Sequence, residues 1–295
     1  MLKTEIPSEI HPNLDQYSVT DLVDTFIDDQ RHALDAVRAA SVRIAEAVTA
    51  ALPRIAAGGR LVYAGAGTSG RLGVLDSVEL FPTFSWPPSR AMAVIAGGPR
   101  AMFEAVEGAE DSAEQGASDL RAIAVGCNDV VILLAASGAT PYVMGALAAA
   151  READALTIGI ANNAGAPLTQ GAQIAITLNT GSELISGSTR LKAGTAQKIV
   201  LNTLSSAIMV RLNKVYGNLM VDLHPTSAKL FRRAVSLTVR ATGADEETAR
   251  RTLAACDYQV KVAIVALMKQ VDVATAHARL AAAHGSVRQA IAGAR

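Results

Sequence analysis

The residues best suited to chemistry fall in three loops and one carboxylate-bearing stretch. Gly65-Ala-Gly-Thr-Ser-Gly-Arg71 joins glycines to the hydroxyls of Thr68 and Ser69. Ala135-Ala-Ser-Gly-Ala-Thr-Pro141 repeats that chemistry with Ser137, Gly138 and Thr140. Each follows a short apolar run and opens a helical pattern. At such a junction, unpaired backbone N–H groups and the positive end of the helix dipole can hold an anion. The first loop lacks the Gly-Lys-Ser/Thr ending of a Walker loop. It matches Gly-x-Gly-x-x-Gly literally, but with two hydroxyls at variable positions it fits the dinucleotide fingerprint poorly. Alone, the first loop has the lesser alternative of a turn that needs glycine, and the second reads equally well as a capped helix start. Two such loops after separate strands point to one phosphate held by uncharged donors.

The third loop, Gly181 to Thr195, carries Glu183, Ser188, Arg190 and Lys192 among many hydroxyls, ahead of a long apolar helix. Some of these residues must cap that helix. The carboxylates are Asp76-Ser-Val-Glu79 and Glu107-Gly-Ala-Glu110-Asp111. By itself Glu79 would read as a solvated surface group. The neighbouring Leu80-Phe-Pro-Thr-Phe-Ser-Trp-Pro88 is expected to bury it and raise its pKa, which suits a general acid at neutral pH. His11, His32, His224, His277 and His284 are scattered without ligand spacing, so no metal site is expected. Cys127 and Cys256 form no framework, have no activating base and suit a reducing cytoplasm.

These residues need a scaffold, and the hydrophobic period supplies it. Residues 60–64, 92–96, 129–134, 156–160 and 173–177 are short apolar runs that end in glycine or polar residues and read as strands. Helical patterns lie between them, at about 71–79, 99–107, 112–124 and 141–152. Alternation of this kind implies a parallel five-stranded sheet covered by helices on both faces, with ligands beyond the carboxyl ends of the strands. Two helices broken near Asp28-Asp29 precede the sheet. A long helix runs from about Thr195 to Asn213, and only helical patterns follow. The expected parts are an N-terminal segment with helices (1–57), a sheet domain carrying the phosphate loops (58–225) and a helical module (226–295).

The 295 residues are 50% hydrophobic, which excludes disorder, and carry no net charge, so no long-range field draws the chain to nucleic acid or lipid. Aromatic content of 4% leaves few stacking platforms for single strands. No apolar run is long enough to span a membrane, and no signal peptide is evident. A cytoplasmic enzyme is expected.

Together the motifs resemble the sugar isomerase (SIS) domain family and, within it, the N-acetylmuramic acid 6-phosphate etherases. The likeness spans roughly residues 4 to 290. It is carried by Gly65 to Asp76, Ala105 to Asp111, Gly187-Ser-Thr-Arg-Leu-Lys-Ala-Gly-Thr-Ala-Gln-Lys198 and Asn218-Leu-Met-Val-Asp222. The resemblance implies an SIS-type αβα sandwich. It also implies cleavage of the D-lactyl ether at C3 of the sugar, giving N-acetylglucosamine 6-phosphate and D-lactate without cofactor or metal. On that likeness Glu79 falls on the general acid and Glu110 on the base for the C2 proton. Glu107 would contact the sugar. Thr68, Ser69, Gly70, Ser137, Gly138 and Thr140 would hold the phosphate, and Glu183, Ser188 and Lys192 would line the sugar pocket. The family also implies a homodimer, with residues 196–212 near the interface. Ser77-Val-Glu-Leu-Phe-Pro82 keeps the acid in a more apolar setting than the family's usual Ala-Ser-Glu-Cys-Pro-Pro, Leu191 replaces a methionine, and Thr4 to Glu9 follows the family segment loosely. The alternatives are a non-catalytic sugar-phosphate regulator resembling glucokinase regulatory protein, normally a longer chain with two SIS units, and an aldose-ketose isomerase, which needs no acid aimed at C3.

Overall fold

The five apolar runs form five strands: β1 (Leu61–Gly65), β2 (Ala91–Ile95), β3 (Val130–Leu134), β4 (Leu156–Ala161) and β5 (Ile174–Thr177). They are seen in a computed structural model that describes residues 2–223, 225 and 227–293. His224 and Thr226, the latter opening the expected helical module, lie outside the described residues. All pairings are parallel, in the order β2-β1-β3-β4-β5. Every residue of β1, β3 and β4 is buried, as the continuous apolar sequence of a doubly covered parallel strand requires. The order reverses between β1 and β3, where sheets of this kind open a ligand crevice. Gly65 stands in register with both Ile95 and Leu134, so the loops after β1, β2 and β3 leave from one edge.

Helices α1 (Val19–Asp29), α2 (Arg31–Ala39) and α3 (Ser41–Ala56) replace the two expected before the sheet. The first break falls at Gln30. The second, at Ala40, has no glycine or proline to announce it; there the N–H turns to Ala36 and Val37 together. Helix α4 (Gly67–Phe84) is longer than its pattern suggests, because Gly67 takes φ +52° and starts the helix two residues after the strand. The helix expected at 99–107 is a 3-10 turn, Gly98–Met102, followed by irregular chain and a second turn, Ala109–Asp111. Gly97, Gly98 and Gly108 have positive φ, and Phe103, Glu104 and Glu107 face solvent, so no apolar stripe exists to hold a helix there. Helices α5 (Ala113–Ala122), α6 (Pro141–Glu152), the short and unforeseen α7 (Pro167–Gly171) and α8 (Lys192–Arg211) complete the sheet's cover.

The chain divides into two compact units, Met1–Val78 with Pro88–Ser205, and Glu79–Pro87 with Ser206–Arg295. The second contains α9 (Ala228–Thr242), α10 (Glu246–Ala255), α11 (Val260–Lys269), α12 (Val273–Ala282) and α13 (Val287–Ala292). Side chains of Ser227, Asp245, Asp272 and Ser286 cap α9, α10, α12 and α13 by accepting a backbone N–H three residues on. Leu237, Leu253, Ile264, Val265 and Leu280 are buried in its core.

In the first unit, small residues do the work that aromatics do elsewhere. Helices α5 and α6 cross at Gly116 and Gly145. A Cβ on Gly116 would stand 1.9 Å from the Tyr142 carbonyl oxygen, and one on Gly145 would stand 1.8 Å from that of Ala113. The Tyr142 hydroxyl then reaches across to Asp119 at 2.6 Å. Strand β1, α4 and α8 are joined by Asp76, whose carboxylate accepts from the Tyr63 hydroxyl (2.7 Å) and the Ser205 hydroxyl (3.2 Å). Burial pushes the Asp76 carboxyl above its ordinary range, against the pull of those two hydrogen bonds.

Two outcomes follow from this packing. Gly145→Ala forces a methyl into a backbone carbonyl and should cost about 3 kcal/mol, read as a lowered urea midpoint; an unchanged midpoint would contradict the close crossing. Asp76 binds its proton more tightly folded than unfolded. Its contribution is therefore fully present below the unfolded value of about 3.9 and is lost as pH rises through the elevated folded value. Asp76→Asn should thus gain stability relative to the parent as pH rises from about 4 towards neutrality. Parallel stability curves for the two proteins would exclude this.

Candidate active site

At the carboxyl end of β1 the chain turns into α4 with almost no connecting length. Gly65 and Gly70 make that possible: a Cβ on Gly65 would lie 2.8 Å from the Cα of Gly70, and one on Gly70 would lie 2.8 Å from the Gly65 oxygen. The first turn of α4 consequently sits directly over the strand end. Ser69 is buried in that turn and Thr68 is half-buried, its methyl 3.4 Å from the Cβ position of Gly194 at the start of α8.

The loop after β3 is built by a different local device. Gly138 takes φ +70°, and a Cβ there would fall 2.3 Å from that of Ala166. Thr140 sits at the cap of α6, and Pro141 takes the first helical position, where its missing N–H costs nothing. Ser137 Oγ accepts from the Ala139 N–H at 3.2 Å and lies 3.4 Å from Thr140 Oγ1. The Thr140 side chain does not cap α6, so no side chain occupies that helix's first amides, which suits them to an anion. Ser69, Thr68 and Gly70 on one side and Ser137, Gly138 and Thr140 on the other therefore stand at the ends of adjacent strands, on the two sides of the switch point.

The third loop is organised from within. Glu183 is fully buried, and its carboxylate accepts from the N–H of Lys192 (3.2 Å) and of Ala193 (2.9 Å), closing the N-terminus of α8. This cap starts α8 at Lys192 rather than near Thr195. Burial raises the Glu183 carboxyl above its usual range, opposed by the two N–H donors and by Lys192. The Lys192 ammonium is itself buried and pairs with Asp29 at 2.6 Å. Both residues, expected to line a sugar pocket, thus have their charges answered inside the chain. Ser188 is half-buried in the turn after Gly187. That turn is strapped by the N-terminal segment: Gly187 donates its N–H to the Thr4 oxygen at 3.1 Å, and the Ser186 hydroxyl donates to the Glu5 oxygen at 2.8 Å.

Glu107 and Glu110 lie on the stretch after β2, Glu110 within the turn Ala109–Asp111, and both are exposed. Glu79 lies on α4 and is exposed. The apolar cover expected from Leu80 to Pro88 is not there: Leu80, Phe84 and Trp86 turn into the interior and leave the carboxylate outside. On a helix, residues adjacent in sequence point about 100° apart, so neighbours in the chain need not shield one another.

Three contributors had no functional reading in the sequence. Asn162 and Asn163, which sequence marks only as the end of a strand, are buried. Asn162 accepts from Gln197 Nε2 at 2.9 Å and donates to the Ala193 oxygen at 3.3 Å, while Asn163 donates to the Ala136 oxygen at 2.9 Å and to Thr4 Oγ1 at 3.2 Å. Arg71 donates from Nε to the Ala101 oxygen at 2.8 Å and from Nη2 to the Glu104 oxygen at 3.1 Å. Paired asparagines at a strand end and a basic residue closing a glycine loop were the available signals. In the second unit, Asp222 of the Asn218 to Asp222 block pairs with Lys261 at 3.0 Å and with Lys214 at 2.5 Å. No helix among the described residues is long and apolar enough to cross a membrane.

The likeness to known proteins agrees with this geometry. Residues 43–151 match the model of the glucokinase regulatory protein N-terminal SIS domain, and residues 111–207 match the SIS domain. A phosphoheptose isomerase from Francisella tularensis superposes with a TM-score of 0.53 at 18% identity, over 66% of this chain and all of that one, a likeness of fold. Much nearer in sequence is an N-acetylmuramic acid 6-phosphate etherase of Deinococcus radiodurans, 54% identical over 96% of this chain and 94% of the relative. Etherases of Pectobacterium atrosepticum and Mycolicibacterium smegmatis are each 48% identical, over 95% and 98% of this chain and 92% and 97% of their own. The glucokinase regulatory likeness covers one SIS segment only, whereas the etherases match end to end. The chain belongs to the N-acetylmuramic acid 6-phosphate etherase family of SIS-domain proteins.

Proposed function

We propose that the chain cleaves the D-lactyl ether of N-acetylmuramic acid 6-phosphate, acting as a carbon-oxygen lyase in cytoplasmic recycling of cell-wall amino sugars. The observation that carries this reading is identity of 54% with an etherase over nearly the whole of both chains. The twin hydroxyl-glycine loops support it, because they offer a dianionic phosphate neutral donors and two open helix ends at adjacent strand termini. Ser69, Thr68 and Gly70 would grip it from α4, and Ser137, Gly138 and Thr140 from α6.

With the phosphate held, the ring-opened sugar presents an aldehyde that acidifies its C2 proton. Glu110 as carboxylate takes that proton. Glu79 as acid gives one to the ether oxygen, so the C3–O bond breaks and lactate leaves as an alcohol. Water then adds to C3 of the unsaturated aldehyde, losing its proton to Glu79, and C2 recovers one from Glu110. The two carboxyls end as they began. Glu107, three residues before Glu110 on the same irregular stretch, would contact the sugar. Glu183 and Lys192 serve this reading as supports that fix the start of α8, with Ser188 on the turn beside them.

A homodimer fits one face of the first unit. Helix α1 has no buried residue, yet Val19, Val23 and Ile27 recur every fourth position and are 79, 51 and 63% exposed. A stripe of that kind suits a second copy better than water. The apolar residues of α8, expected to lie near an interface, are buried within the chain, Ala196, Val200, Leu201, Leu204 and Ile208 among them.

Incubation with N-acetylmuramic acid 6-phosphate should release D-lactate, and folded protein that releases none would sink the reading. Glu110→Gln should lower exchange of the C2 proton with solvent deuterium by about 100-fold or more. Glu79→Gln should slow lactate release more than exchange. Normal exchange in both variants would overturn the division of labour between base and acid. In sedimentation the protein should run as a dimer, and Val23→Asp should shift it to monomer; a monomeric parent would refute the α1 interface.

A further inference from the structure

Arg71 closes the phosphate loop, yet among the described residues its guanidinium pairs with no carboxylate. Instead its fork is set on two backbone oxygens, those of Ala101 and Glu104, at 2.8 and 3.1 Å. These carbonyls belong to the stretch between β2 and α5, which carries Glu107 and Glu110. That stretch has little to hold it. It contains no strand and no α-helix, only two 3-10 turns. Its internal backbone bonds are local, from Phe103 and Glu104 to the Arg100 oxygen, Ala109 to Val106 and Asp111 to Gly108. Phe103, Glu104, Ala105, Glu107 and Glu110 are exposed, while Ala101 is buried at the root, Val106 packs beside Gly97 and the half-buried Ala109 rests on the core under α6. Among the described residues, the two bonds from Arg71 are the hydrogen bonds that reach residues 98–111 from elsewhere in the fold.

We propose that Arg71 is a positioning residue that transmits the seating of the phosphate to the base, holding the Glu110 stretch in place from the same helical turn that carries Ser69. This rests on Glu110 being the base of the etherase reaction. Arg71 follows Ser69 by two residues in the first turns of α4, a rigid element anchored by the Gly65–Gly70 contact. Its two donors lie side by side in a fixed plane and so fix both the distance and the direction of the stretch they hold, which a lysine's single ammonium cannot do. The stretch is only three residues from Ala101 to Glu104 and six more to Glu110, so release at its root leaves the carboxylate's position to the packing of Ala109 alone at the far end. Displacement of about 1 Å at a reacting group can cost about 100-fold in rate.

The test compares Arg71→Met and Arg71→Lys with the parent, using N-acetylmuramic acid 6-phosphate as substrate and inorganic phosphate as competitor. The parent must first release D-lactate; if it does not, the etherase reading has failed rather than this one. Given that activity, Arg71→Met should lower kcat and C2 deuterium exchange together by about 10- to 100-fold, with KM and phosphate inhibition shifting by less than about threefold. Arg71→Lys should fall between parent and Arg71→Met. Amide exchange of residues 101–111 should rise in Arg71→Met while that of residues 61–70 stays unchanged. Should Arg71→Met prove unfolded by circular dichroism, Arg71→Lys carries the same comparison, with a kcat loss at unchanged KM expected. The proposal is overturned if kcat is unchanged in the folded variants. It is also overturned if phosphate inhibition weakens in proportion to kcat, which would make Arg71 a phosphate ligand.

Discussion

Gly65 and Gly70 lie so close that neither can carry a side chain, since a single added carbon would overlap the backbone of the other. Because the strand end and the helix turn touch, the first turn of α4 is fixed over the edge of the sheet rather than displaced sideways by a linker. Several distant features inherit that placement. Ser69 is buried in the first turn of α4, Asp76 reaches Tyr63 on β1 and Ser205 on α8, and Arg71 meets the chain beyond β2. Loosening this one contact would misalign all of them at once, although none is adjacent to it in sequence except Ser69 and Arg71.

Much of the scaffold could be read from residue patterns alone, for reasons that are local. All five strands are short runs of Val, Ile, Leu and Ala that end in glycine or a polar residue, and strands buried on both faces have no other way to be written. The capped helices after residue 227 announce themselves through Asp245, Asp272 and Ser286. Legibility failed where structure depends on direction rather than composition. Nothing in the string distinguishes a Glu79 covered by Leu80 and Trp86 from one that points away while they turn inward. The stretch from Gly98 to Asp111 holds enough Ala, Met and Val to suggest a helix, yet its positive-φ glycines and solvent-facing Phe103 and Glu104 forbid one. The charges of Glu183 and Lys192 were visible, but their partners, the backbone of α8 and Asp29, come from 9 and 163 residues away.

The chain also shows how a molecule of zero net charge can serve an anion. Two positive residues near the loops are committed to structure: Lys192 to Asp29, and Arg71 to two carbonyls. What remains for a phosphate is oriented backbone and hydroxyl dipoles, which need no counter-charge and leave the surrounding carboxylates free to exchange protons. A lysine or arginine in the cradle would draw neighbouring carboxylates towards their ionised form, the opposite of what a general acid requires.

The carboxylate of Glu183 at the head of α8 has a consequence for the proposed phosphate site. Three long helices begin near the switch point, and one of them already holds an internal anion on the amides of Lys192 and Ala193. The hydroxyl-glycine loops at the heads of α4 and α6 are what is left for the single phosphate of the proposed function. On the proposed reading a phosphorylated sugar therefore meets two loop ends there and not three, because the head of α8 is filled from within the chain.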